Sequence, residues 1–343
     1  MENQMKVLVT GGTGLVGSHL LYHLTLSGQR VIALKRASSS TELTHKIFSW
    51  YTPFSDKQWK LIQWIEGDIM DIPSLQDAFE GIDQIYHAAA IVSFQGQNKS
   101  TIEQVNITGT ANVVNIALEK RIKKLVYVSS IGTLGRVQNK EVVSETTYWS
   151  NKKTSVYSKS KYEAEQEVWR GMAEGLTAVI INPSIIIGPG NWNQGSPQLF
   201  ETMWKGLKFF TTGSNGFVGV NDVAKVMILL MNSDLQGERY IVSSENVPYQ
   251  QLFNWIAGAL QVQRPKYKAG KFLSAISWRV LALAGLFTGT KSSITRETAH
   301  TANQQYRYSN AKIIAATGIR FMPVKECIEH TAGIFLDEHR KTN

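Results

Sequence analysis

The chain has 343 residues, 43% hydrophobic and 18% charged, a balance that supports a sizeable core and excludes wholesale disorder. Its one cysteine, Cys327, excludes a disulfide framework and a cysteine-rich zinc module. The net charge of +9 admits an anionic ligand or a membrane surface, but no Lys/Arg run exceeds two residues, which excludes a nucleic-acid tail.

Residues 1–12 (MENQMKVLVTGG) lack the charged start and long apolar stretch of a secretory leader, which points to a reducing, cytoplasmic location. Short apolar runs at 6–10, 30–34, 61–65, 84–87, 124–129 and 177–181 are rich in β-branched or aromatic residues and read as strands. Helix-length segments at 14–27, 74–79, 104–120 and 157–175 separate them, and a further strand at 239–242 is expected to join the same sheet. Continuous apolar strands alternating with helices imply an α/β fold, a doubly wound parallel sheet covered on both faces. The expected division is a dinucleotide-binding Rossmann domain at 1–182, with 217–245 returning to it, and a smaller, mostly C-terminal substrate domain at 183–216 and 246–343.

Two stretches depart from simple alternation. Residues 38–60 carry Phe48, Trp50, Tyr51, Phe54 and Trp59 and read as a helix plus loop on the sheet. Residues 188–219, with Trp192, Phe200, Trp204, Phe209, Phe210 and Phe217, read as an irregular segment serving as substrate lid, as core, or both. The one long apolar stretch, 272–287, would span about 24 Å as a helix, short of the roughly 30 Å hydrocarbon core, and carries Arg279. It reads as a substrate-domain helix, with a monotopic membrane contact as the alternative.

Between the first strand and the first helix lies Thr10-Gly11-Gly12-Thr13-Gly14-Leu15-Val16-Gly17. In that context the glycines are expected to form a phosphate-binding turn. Gly11 allows the turn, Gly14 admits a pyrophosphate, and Gly17 permits close helix–strand packing, with the amides and helix dipole holding the phosphates. No acid ends the second strand to accept a ribose 2′-OH. Lys35, Arg36 and Ser38 stand there instead and suit a 2′-phosphate, so NADP(H) is favoured over NAD(H). Asp68 can accept from the adenine amino group while Ile69 packs on the ring. The small residues Ala88, Ala89 and Ala90 let a dinucleotide lie against the backbone after the fourth strand.

Tyr157 and Lys161 stand at i and i+4, on one helical face. A lysine ammonium about 4 Å from the phenol contributes about 4 kcal/mol at an effective dielectric of roughly 20. That would bring the phenol pKa from about 10 toward about 7, where it can exchange a proton with a carbonyl or alcohol oxygen. Ser130, at the end of the fifth strand, is placed to hydrogen-bond that oxygen, with Thr133 as a second candidate. His19 and His23, also at i, i+4, read as packing or surface groups, and no metal site is expected. No Gly-x-Ser-x-Gly elbow supports hydrolysis.

These features, with Gly67-Asp68, His87-Ala88-Ala89, Val105-Asn106-Ile107-Thr108-Gly109-Thr110, Tyr127-Val128-Ser129-Ser130 and Asn182-Pro183-Ser184 leading to Gly188-Pro189-Gly190, resemble the extended short-chain dehydrogenases/reductases of the NAD-dependent epimerase/dehydratase superfamily. The similarity is greatest to the dihydroflavonol-4-reductase and 3β-hydroxysteroid dehydrogenase-like branch. The resemblance implies that Tyr157 is the general acid/base and that Lys161 holds the nicotinamide ribose and tunes Tyr157. It further implies that Ser130 polarises the substrate oxygen, Asn106 supports the site, Arg36 selects NADP, and Pro183 and Ser184 face the nicotinamide. It also implies a homodimer through the helices at 104–120 and 157–175. Val-Tyr-Gly and Tyr-Gly-Pro signatures of many nucleotide-sugar epimerases are replaced by Ile131-Gly132-Thr133 and Asn182-Pro183-Ser184. The expected function is an NADP(H)-dependent oxidoreductase acting on a carbonyl or secondary alcohol of a mainly apolar small molecule. The rivals are a nucleotide-sugar epimerase or dehydratase and a non-catalytic NADP sensor.

Overall fold

The computed structural model describes residues 5–92, 99–135, 141–150, 154–269 and 303–342, so the apolar stretch 272–287 lies outside the described residues. The first half alternates as its apolar runs predict: β1 (Val7–Thr10), α1 (Leu15–Leu26), β2 (Val31–Lys35), α2 (Glu42–Tyr51), α3 (Ser55–Trp59), β3 (Ile62–Glu66), α4 (Ile72–Ala78), β4 (Gln84–His87), α5 (Lys99–Glu103), α6 (Gly109–Glu119) and β5 (Lys124–Val128). The second half adds β6 (Val142–Val143), α7 (Val156–Ala173), β7 (Ala178–Pro183), β8 (Ile185–Ile187), α8 (Gln198–Trp204), β9 (Phe209–Phe210), β10 (Ser214–Gly219) and α9 (Val220–Met231). It continues with β11 (Glu238–Val242), β12 (Glu245–Pro248), α10 (Tyr249–Leu260), β13 (Tyr267–Lys268), β14 (Arg307–Tyr308), α11 (Ala311–Thr317) and α12 (Val324–Thr342).

Seven strands form one sheet in the order β11-β7-β5-β4-β1-β2-β3, with every pair parallel. Strand alternation divides the core between its faces. Val7 and Val9 cluster with Leu20 and Leu24 of α1 and Val223 and Met227 of α9. Leu8 and Leu125 instead join Val113 and Val114 of α6 and Ala164 and Val168 of α7. The strand order reverses about β1, between β2 and β4, which opens a crevice at the carboxyl ends of β1 and β4.

A separate core of Ile187, Phe200, Phe217, Leu252, Ile256 and Phe335 surrounds a three-stranded sheet, β12-β10-β8. Phe217–Gly219 belong to this smaller sheet, whereas α9 packs on α1 and β11 extends the large sheet. The segment read as irregular therefore contains regular structure. Phe200 and Phe217 are core, while Trp204 and Phe209 are exposed. The helix read over 104–120 begins with a π-helical turn, Gln104–Thr108, before α6. His19 is buried and donates to the Leu15 carbonyl, with its other ring nitrogen on the Tyr51 hydroxyl. His23 meets Asn221. Among the described residues no cluster of three metal-ligating side chains occurs, and no helix is long and apolar enough to cross a membrane.

Candidate active site

The turn after β1 is built by close backbone contact. The Gly14 amide donates to the Gly11 carbonyl (3.0 Å) and the Ser18 amide to the Gly14 carbonyl (2.9 Å). Gly11 has φ 74°, and a Cβ there would lie 2.6 Å from the Ala88 carbonyl carbon. A Cβ on Gly17 would lie 2.1 Å from the Gly11 oxygen. Helix α1 has no side-chain N-cap and no acid in its first turn, and Gly14 is exposed. The amides around half-buried Thr13, Leu15 and Val16 thus meet no capping side chain and no first-turn carboxylate of α1. That arrangement fits a phosphate.

The flanking strand ends complete the crevice. Arg36 and Ser38 are exposed beyond β2, and Arg36 forms no ion pair among the described residues. Asp68 accepts from the Met70 amide (2.9 Å), so it closes a turn. Ile69 is buried against Gly109. The Ala88 amide donates to the Thr10 carbonyl (3.2 Å) and the Ala89 amide to the Thr10 hydroxyl (3.4 Å), which fixes Ala88–Ala90 beside Gly11. Beneath them His87 bridges the Thr10 and Thr110 hydroxyls (2.7 and 3.1 Å) and stacks on Tyr127. Burial lowers its pKa to about 3, so it is a neutral strut.

Tyr157 lies in the first turn of α7, whose N-cap Ser155 accepts from the Ser158 amide (2.8 Å). Ser130 turns the chain out of β5. Its hydroxyl accepts from the Gly132 amide (3.1 Å) and hydrogen-bonds the Tyr157 phenol. Asn106, in the π-helical turn, grips Ile91 through both backbone groups (2.7 and 3.1 Å) and donates to Ser160 (2.9 Å), whose hydroxyl bonds the Tyr157 carbonyl. Pro183 and Ser184 are buried at the end of β7. The Ser184 amide donates to Val242 (3.0 Å), while its hydroxyl has no partner among the described residues.

The structure brings Ser130, Tyr157 and Lys161 to one strand edge but corrects the expected electrostatics. Lys161 Nζ donates to the Tyr127 hydroxyl (2.7 Å) and the Val128 carbonyl (2.8 Å), not to Tyr157. Burial raises the Tyr157 pKa to about 12, against a smaller opposing pull from Ser130. Burial lowers the Lys161 pKa to about 7, against Glu165. Desolvation therefore outweighs the phenol–ammonium attraction that spacing alone suggests, because the lysine stem bends toward β5.

Sequence reasoning missed Tyr127, Glu165 and Arg239. Glu165 is fully buried and accepts from Ser129, Thr133 and Asn182, with Arg239 at 3.1 Å. The available signals were an acid at i+4 from Lys161 and an arginine opening a buried parallel strand.

The NAD dependent epimerase/dehydratase family model matches residues 7–243, and the chain belongs to that family. It is an enzyme of the NAD(P)-dependent oxidoreductase type, in the extended short-chain dehydrogenase/reductase group. The chain is similar to sterol demethylase protein B of Methylococcus capsulatus, 27% identical over 264 residues and 76% of each chain. A candidate dihydroflavonol 4-reductase of Synechocystis sp. is 28% identical over 335 residues, covering 93% of this chain and 91% of that one. The crystal structure of gox2253 superposes with a TM-score of 0.81 at 27% identity, over 98% of this chain and 99% of that one.

Proposed function

We propose that the protein is an NADP(H)-dependent oxidoreductase that interconverts a carbonyl and a secondary alcohol on a mainly apolar small molecule. The observation that carries this reading is the convergence of Ser130, Tyr157 and Lys161 at the sheet edge beside an uncapped, glycine-lined helix start. A bound nicotinamide coenzyme supplies or accepts the hydride. Gly11, Thr13, Gly14, Leu15, Val16 and Gly17 would hold its phosphates, Arg36 and Ser38 its 2′-phosphate, Asp68 and Ile69 its adenine, and Ala88–Ala90, Pro183 and Ser184 the remainder. Ser130 orients the substrate oxygen. Tyr157 donates a proton to it in reduction or removes one in oxidation. Lys161 would hold the ribose hydroxyls, and its ammonium, where it faces Tyr157, would lower the phenol pKa.

The names of the sterol and dihydroflavonol relatives support an apolar substrate. We further propose that residues 1–182, with 217–245 returning, bind the coenzyme and that 183–216 and 246–343 bind the substrate. In this reading the protein works in the cytoplasm as a homodimer paired through α6 and α7.

The test follows NADPH absorbance over flavonoid-like, steroid-like and nucleotide-sugar carbonyl compounds, with wild type beside Tyr157→Phe. Net oxidation by wild type and a loss of about 10²–10⁴-fold in the variant, at unchanged coenzyme affinity, is expected. Coenzyme that stays bound while only a nucleotide sugar turns over would mark an epimerase instead. Wild-type rates in the variant would remove Tyr157 from the chemistry.

A further inference from the structure

The most heavily coordinated charged side chain near the site is one that the mechanism above does not use. Glu165 projects from α7 one turn beyond Lys161 and is fully buried. Its Oε2 accepts from Ser129 Oγ (2.5 Å), Thr133 Oγ1 (2.8 Å) and Asn182 Nδ2 (2.8 Å). Its Oε1 accepts from Arg239 Nη1 (3.1 Å) and Trp169 Nε1 (3.4 Å). Arg239 is pinned in turn to the Glu145 carbonyl through Nε (2.9 Å) and Nη2 (2.5 Å).

These contacts surround Ser130. Ser129 precedes it, Thr133 closes the turn after it, and Asn182 Nδ2 also donates to its carbonyl (3.2 Å). One carboxylate thus ties the middle of α7 to the ends of β5 and β7 and to the start of β11. Burying such a charge is costly without partners, and here five donors meet it beside the turn that carries Ser130.

We propose that Glu165 is a positioning residue: with Arg239 behind it, it fixes the turn that carries Ser130 and keeps negative charge one helical turn from the Lys161 ammonium. The inference rests on the oxidoreductase reading above. Lys161 is faced by His87 from β4, Tyr127 from β5, and Tyr157 and Glu165 from its own helix; Glu165 is faced by Arg239 from β11. His87 is neutral and Tyr127 protonated near neutral pH, because burial lowers the first and raises the second. Glu165 is therefore the anion that supports the ammonium, and Arg239 moderates it.

The test is the pH profile of carbonyl reduction in three proteins: wild type, Glu165→Gln and Arg239→Met. Glu165→Gln is expected to lower kcat about tenfold with KM little changed, and to move the alkaline limb down by about one pH unit as Lys161 loses its proton earlier. Arg239→Met, which leaves Glu165 unopposed, is expected to move the same limb upward. A merely structural brace would lower activity in both variants without opposite shifts, and that result overturns the proposal.

If Glu165→Gln does not fold, the Arg239→Met shift alone decides. If wild type reduces none of the carbonyl panel, the oxidoreductase reading fails by itself, and the pH dependence of NADPH affinity by coenzyme fluorescence decides the Glu165 proposal in the same way. Opposite displacements of the affinity profile support it, and coincident profiles overturn it.

Discussion

Lys161 donates to the Tyr127 hydroxyl at 2.7 Å, on the strand facing the helix that carries Tyr157. The two residues most expected to couple, Lys161 and Tyr157, are instead each engaged with β5 or the turn after it. Lys161 Nζ is thus held by a neutral phenol and a carbonyl of β5.

The buried ammonium has a consequence for stability. Burial lowers the Lys161 pKa from the ordinary 10.5 to about 7. Between those values the unfolded chain binds the proton and the folded chain does not, so unfolding free energy rises with pH across that window. Lys161→Met removes this contribution. The variant should gain most over wild type near about pH 6.5 and little near about pH 10, while binding NADP(H) at least about tenfold more weakly. Urea midpoints at the two pH values check this, and an equal difference at both would show that Lys161 keeps its ordinary proton affinity when folded.

Arg36 stands exposed where β2 ends, with no acid paired to it among the described residues. A charge-assisted bond to a 2′-phosphate is worth about 1.5–3 kcal/mol. Arg36→Ala should therefore weaken NADPH binding by about 10–100-fold and leave NADH binding nearly unchanged. Coenzyme fluorescence titrations measure both. Equal losses for the two coenzymes would take the 2′-phosphate role away from Arg36.

A Cβ on Gly17 would sit 2.1 Å from the Gly11 oxygen, and on Gly11 it would meet the Ala88 backbone. Neither neighbour is a side chain that can swing away. Gly17→Ala must push α1 off the turn, and overpacking of this kind costs about 1–3 kcal/mol. The thermal midpoint should fall by several degrees and coenzyme affinity with it. Normal affinity with a normal midpoint would show that the helix and turn can separate freely.

How much was legible beforehand follows from where the physics is local. Val7–Thr10, the glycine turn and α1 announce themselves through apolar runs and glycine spacing, and both are properties of a few adjacent residues. Ser130, Tyr157 and Lys161 could be placed together because strand ends and helical periodicity fix where side chains emerge. The partner of Lys161 was not legible, since the bend of a four-carbon stem toward Tyr127 depends on packing across α7 and β5. Glu165 was missed for a similar reason. Four of its five donors come from residues 129, 133, 182 and 239 and meet only after the sheet has formed. Phe200 and Phe217 were ambiguous because an aromatic-rich stretch reads alike whether it lines a ligand or fills a core. The β8–β10 pairing decides the question for these two.

Two buried histidines make acid the vulnerable direction. His19 is locked between Leu15 and Tyr51 and His87 between Thr10 and Thr110, and burial lowers each pKa from 6.5 to about 3. As pH falls from the ordinary value toward the folded one, the unfolded chain takes up protons that the folded chain refuses, so stability declines across that interval. Near about pH 5 each histidine should cost about 1–2 kcal/mol relative to neutral pH. His19→Gln loses some packing at every pH but carries no ionisation, so its deficit against wild type should shrink as the solution is acidified. Denaturant midpoints at about pH 7 and about pH 5 measure that change. A deficit that is constant or grows in acid would mean that His19 is protonated inside the fold, against the burial that holds it neutral.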